Sequence, residues 1–185
     1  MRKRLENRTN TMSHIHIQYF KTGIGELILG SFEGQLCLLD YRYRKMRQAV
    51  DERIRKGLNT EFTEKDDEVL SQARMQLEEY LSGNRTRFDL PLLMVGTGFQ
   101  KAVWTALTEV PYGKTATYLD LAKSLGNEKA VRAVAAANGA NALAIVVPCH
   151  RIVGSRGELT GYSGGLAVKQ RLLQLEQCGW NLFEI

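Results

Sequence analysis

The sequence predicts an α+β fold in two parts. Short apolar runs bounded by glycine or alternating with polar residues cluster before residue 41. Apolar residues then recur at helical spacing up to residue 81, and the chain beyond residue 98 is patterned almost wholly as helix. Strands first and helices packed against them describe a small α/β support domain, followed by a mainly helical one.

In order along the chain, residues 1–13 are polar and aperiodic and read as a mobile tail. Arg2, Lys3 and Arg4 within it are expected to be solvated rather than a DNA-binding arm. The segment from His14 to Tyr19 alternates as a strand. Gly25 to Gly30 and Gln35 to Asp40 form two more, joined by a hairpin turn over Ser31-Phe32-Glu33-Gly34. Met46, Val50 and Ile54 at four-residue spacing predict a helix over about 43–56. Val69, Ala73, Leu77, Tyr80 and Leu81 predict a second, ending at Gly83. The support domain is thus 14–92, with a linker over 93–98 where Gly96-Thr97-Gly98 breaks the pattern.

The second domain spans 99–185. Phe99, Val103, Leu107 and Val110 mark a helix stopped by Pro111-Tyr112-Gly113. Thr117 is the expected cap of a short helix ending at Gly126, and Asn127 of another over about 128–138. Two short helices around a glycine turn have the outline of a helix-turn-helix. A last helix is expected from about Leu166 to Gln177.

Composition narrows the functional classes. A net charge of +5 is compatible with a polyanion partner. Three cysteines, none in a CxxC or Cys/His cluster, suggest neither a disulfide framework nor zinc, and fit a reducing cytoplasm. No apolar run approaches the roughly 20 residues of a membrane span. The basic start lacks the apolar stretch of a signal peptide. No metal or cofactor is expected, and the protein is expected to be a monomer.

The chemistry concentrates in Ile145-Val146-Val147-Pro148-Cys149-His150-Arg151-Ile152-Val153. The apolar run reads as a buried strand that Pro148 ends. An adjacent base or cation favours the thiolate of Cys149. In extended chain, however, Cys149 and His150 face opposite ways, so a turn or a bridging water is needed. Glu176 is a candidate to orient the imidazole from the last helix. The 130–137 helix is rich in alanine around a single long side chain, Arg132. Small residues allow close approach to the minor groove, which is about 6 Å wide. Gly161-Tyr162-Ser163-Gly164-Gly165 is a turn able to hydrogen-bond a polar ligand atom.

Pro148-Cys149-His150-Arg151 followed by Gly161-Tyr162-Ser163-Gly164-Gly165 resembles the O6-alkylguanine-DNA alkyltransferase family. Supporting matches run from Phe99-Gln100 through Val110-Pro111-Tyr112-Gly113 to Arg132-Ala133-Val134. The resemblance implies a ribonuclease H-like amino-terminal domain and a winged-helix-like helix-turn-helix. It implies that double-stranded DNA containing O6-alkylguanine, and O4-alkylthymine, is repaired by base flipping and one-time transfer to Cys149.

By the same resemblance His150 activates the thiol through a water, and Glu176 holds His150. Tyr118 donates to guanine N3, and Ser163 to O6. The Cys149 and Ile152 carbonyls accept from the exocyclic amine. Tyr162 lines the pocket, and Asn141 braces the active-site turn. Arg132 fills the gap left by the flipped base; Ala133, Ala136 and Arg151 join it at the DNA. Ala135 and Ala142 depart from the Gly and Pro of many relatives. The competing readings are a helix-turn-helix regulator or damage-sensing binder without chemistry, and a Cys-His-Glu hydrolase turning over repeatedly.

Overall fold

The computed structural model describes residues 13–178. The expected tail, with Arg2, Lys3 and Arg4, lies almost wholly outside the described residues. Strands β1 (Ile15–Thr22), β2 (Gly25–Phe32) and β3 (Gln35–Tyr41) form an antiparallel meander. The turn between β2 and β3 is tight because Glu33 and Gly34 both take positive φ, 49° and 77°. A fourth strand, β4 (Phe62–Glu64), pairs parallel to β1 and gives the sheet order β3-β2-β1-β4. At three residues it is too short for period-two patterning, so sequence reading missed it.

Alternation along the strands divides two cores. Ile28 and Leu38 face helix α1 (Arg47–Leu58) with Val50 and Ile54. Leu27, Leu29, Leu36 and Leu39 face the opposite side. There they pack with helix α2 (Glu68–Leu81) and the helices of the second part in one continuous cluster. Helix α1 begins at Arg47, four residues later than the periodicity suggested. Arg44 instead turns inward to the buried carboxylate of Asp40, 2.6 Å away, which holds 42–46 as a loop. The stretch read as a linker is tied to the sheet on its amino-terminal side. Leu36 N–H donates to the Pro91 carbonyl and Leu93 N–H to that of Leu36.

Helix α3 (Gly98–Thr108) starts at a capping box of Thr97 and Gln100. Helix α4 (Tyr118–Ser124) starts at a second, Thr117 with Asp120. Asn127 does not cap as expected: its side chain makes no capping bond. A 3-10 turn, Glu128–Ala130, precedes helix α5 (Val131–Gly139). Helix α6 (Leu166–Cys178) closes the described chain. Two-residue strands β5 (Ala116–Thr117) and β6 (Ile152–Val153) pair in parallel at the base of the helix-turn-helix. Among the described residues, no helix is long and apolar enough to cross a membrane.

Candidate active site

The segment expected to be a strand is a series of turns. Val146 N–H donates to the Ala144 carbonyl across Ile145, whose φ is 73°, and Cys149 N–H donates to the Val147 carbonyl across Pro148. Two such three-residue turns reverse the chain within a few residues. A positive φ is unusual for a β-branched residue, and here the surrounding bonds enforce it. Ala144 N–H donates to the Leu39 carbonyl, and Leu39 N–H to the carbonyl of Ala142, pinning the segment to β3. Residues Cys149–Arg151 then form a 3-10 turn. The chain turns at the place where an extended backbone would have separated thiol and imidazole.

Asn141 braces this turn. Its side-chain amide donates to the Val147 carbonyl at 2.9 Å, and its oxygen accepts from Leu143 N–H at 2.9 Å. Both ends of this buried side chain are engaged with backbone, and Asn141 also lines the cleft onto which Cys149 opens. Burial pushes the Cys149 thiol up to about 11, against an opposing pull from Asn141. A thiol in that range is protonated at neutral pH and needs a base before it can act as a nucleophile.

His150, the next residue, is the candidate for that base. Its Nε2 lies 2.8 Å from Glu176 Oε1, and its buried Nδ1 has no partner among the described residues. A carboxylate at Nε2 fixes the proton there and leaves Nδ1 as the acceptor. Burial outweighs the attraction of Glu176 and holds the imidazole below its ordinary pKa, in the neutral form. Burial acts to raise the Glu176 carboxyl, but hydrogen bonds from His150 and Arg151, with the Arg151 charge, prevail and hold it at about 2.

Arg151 does not serve DNA as expected. Its guanidinium is buried, contacting Glu176 at 2.9–3.2 Å and donating to the Val110 carbonyl at 2.6 Å. Every contact is satisfied inside the protein. It neutralises Glu176, which helps keep His150 uncharged. Sequence reading also missed Tyr80, whose hydroxyl donates to Glu176 Oε1 at 2.6 Å, and Gly113, whose N–H donates to Oε2 at 3.0 Å. A tyrosine at helical spacing in α2 carries no signal of this contact.

A cleft of about 680 Å³ opens onto Cys149. Tyr118, Tyr162 and Ser163 line it, with Ala135 and Asn138 of α5. The buried Ser163 hydroxyl has no partner among the described residues. The Tyr162 hydroxyl meets that of Tyr41 at 3.2 Å, and a Cβ on Gly164 would strike the Tyr41 ring at 2.5 Å. The glycine therefore lets the loop close against β3. The Ile152 carbonyl does not line the cleft; it accepts from the buried Lys169 ammonium, which also donates to the Thr160 carbonyl at 2.6 Å. On α5, Val134, Ala137 and Asn138 are buried, whereas Arg132, Ala133 and Ala136 form the exposed face.

Two family descriptions match the chain. "6-O-methylguanine DNA methyltransferase, ribonuclease-like domain" covers residues 15–94, and the corresponding "DNA binding domain" covers 98–178. A methylated-DNA–protein-cysteine methyltransferase of Methanosarcina acetivorans is 43% identical across 85% of this chain and 95% of its own length. The chain belongs to the 6-O-methylguanine DNA methyltransferase family. The constitutive methylated-DNA–protein-cysteine methyltransferase of Bacillus subtilis is 41% identical over 86% of this chain and 94% of its own. Among solved structures, Mycobacterium tuberculosis OGT in complex with DNA aligns with a TM-score of 0.76 at 38% identity. That alignment covers 88% of this chain and 92% of the other. The four-stranded sheet with its helices is thus the family's ribonuclease-like domain, and the helical part its DNA-binding domain.

Proposed function

We propose that this chain repairs O6-alkylguanine, and O4-alkylthymine, in double-stranded DNA by moving the alkyl group to its own Cys149, once per molecule. The observation that carries the proposal is a single cleft holding the Cys149 thiol and an unsatisfied Ser163 hydroxyl, beside a neutral imidazole fixed by Glu176. The names of the relatives support the same reaction.

The damaged base is flipped into the cleft, at a cost of a few kcal/mol. His150 Nδ1 takes the thiol proton through a bridging water. The sulfur attacks the alkyl carbon in line, the S–C bond forms and the C–O6 bond breaks. The electron pair passes to the guanine ring, where Tyr118 supplies a proton or hydrogen bond to N3 and Ser163 steadies O6. The product is a thioether, which nothing in the site is equipped to reverse. The Arg132, Ala133 and Ala136 face of α5 enters the minor groove, with Arg132 replacing the extruded base. The protein works as a cytoplasmic monomer without metal or cofactor.

Stoichiometry tests this directly. With excess duplex containing O6-methylguanine, repaired guanine is expected to plateau at one per protein molecule. Continued turnover would favour a hydrolase, and no repair would favour a pure DNA binder. Arg132→Ala is expected to slow duplex repair at least tenfold more than reaction with free O6-benzylguanine; equal losses would contradict the flipping role.

A further inference from the structure

The wall of the cleft facing α5 comes from the first part of the molecule. Tyr43, Arg44, Lys45 and Met46, in the loop between β3 and α1, line the same cleft as Cys149. This loop is held fast. Arg44 pairs with Asp40 and donates to the carbonyls of Gly139 at 2.6 Å and Asn141 at 3.0 Å, at the carboxy-terminal end of α5. Arg53 of α1 adds a bond to the Ala140 carbonyl at 2.7 Å. Cations at a helix carboxy terminus satisfy its orphan carbonyls and oppose its dipole. The loop and α5 are therefore fixed relative to one another.

The outward side chains of this anchored loop are unusual. Tyr43 is 77% exposed and Met46 58%. Of the cations nearby, Arg42 pairs with Glu26, Arg44 with Asp40, and Arg47 with Asp40 and Asp51. Lys45 is exposed and has no carboxylate partner among the described residues. An unpaired ammonium between an exposed aromatic ring and an exposed thioether, on the rim of a cleft proposed to take a nucleotide, complements a nucleic-acid strand.

We propose that the β3–α1 loop is a second DNA contact, in which Lys45 binds a backbone phosphate and Tyr43 and Met46 pack on the strand beside the flipped nucleotide. The inference rests on the function proposed above. It assigns DNA contact to the ribonuclease-like domain as well as to the helix-turn-helix.

The test is duplex affinity of the full chain as a function of salt, for wild type, Lys45→Ala, and Tyr43→Ala with Met46→Ala. Lys56→Ala, an exposed lysine of α1 outside the cleft, serves as control. Each phosphate contact contributes about 0.9 to the slope of log affinity against log salt. Lys45→Ala is expected to make the slope shallower by about that amount and to weaken binding several-fold. The Tyr43/Met46 double variant is expected to weaken binding at an unchanged slope. A wild-type slope for Lys45→Ala, with wild-type affinity for the double variant, would overturn the proposal. Since these side chains are exposed, folding is not at stake. If wild-type protein bound duplex but gained no alkyl group, the function reading would fail while the salt comparison still decided this one.

Discussion

At the residue scale, the proposed mechanism pairs a thiol raised by burial with a neighbouring neutral imidazole. If His150 takes the Cys149 proton within the complex, the rate of transfer from bound duplex should be nearly flat from about pH 7 to about pH 9. Reaction through a free pool of thiolate would instead rise tenfold per pH unit, because burial pushes the Cys149 thiol up to about 11. Glu176 adds a stability signature. Its folded value of about 2 lies below the ordinary 4.5, so its contribution is complete above that ordinary value and is lost as pH falls through the folded one. His150 acts in the same direction: its lowered pKa means the unfolded imidazole binds a proton first, and stability falls as pH drops below 6.5. Glu176→Gln should therefore lose stability at pH 7 yet flatten the acid side of the profile, as denaturant titration at several pH values would record. Cys149 and His150 stand out because residue type and neighbourhood mark a candidate nucleophile and base, whereas spacing alone would have left Glu176 a solvated helix charge; its contact with His150 is visible only in the fold. Arg151 was misread because sequence gives a cation's position without its partner, here a carboxylate 25 residues away.

At the element scale, helices with strong caps were readable and irregular segments were not. Thr117 Oγ1 accepts from Asp120 N–H while the Asp120 carboxylate accepts from Thr117 N–H, so Thr117→Ala, which removes the first bond, should cost about 1 kcal/mol by thermal or chemical unfolding. The start of α1 was misplaced because Met46 fits helical spacing while Arg44 is drawn away by Asp40. That buried pair connects β3 to the end of α5. Asp40→Asn leaves the buried Arg44 guanidinium without a carboxylate and should destabilise by about 3–5 kcal/mol, measured by denaturant unfolding; Arg44→Ala leaves Asp40 still paired with Arg47 and should cost less. The apolar run 145–147 looked like a strand because its apolar content reflects burial. Its turns are set by Pro148 and by hydrogen bonds to Leu39 that no local pattern records.

For the whole molecule, the two parts share one core. Leu39 and Tyr41 of the sheet pack in the same cluster as Leu107, Val134 and Leu172 of the helical part. Full-length protein should accordingly unfold in a single transition, with fluorescence and circular dichroism superimposing; two separated transitions would show independent domains. The modest net charge of +5 is consistent with a protein whose grip on DNA relies on a close-fitting small-residue helix as much as on phosphate contacts. The claim on which everything else depends is that Cys149 itself receives the alkyl group. Peptide mass spectrometry after incubation with duplex O6-methylguanine tests it most directly. The peptide containing Cys149 is predicted to gain one methyl in near-stoichiometric yield. An unmodified Cys149 beside repaired DNA, or a methyl on another residue, would contradict the account.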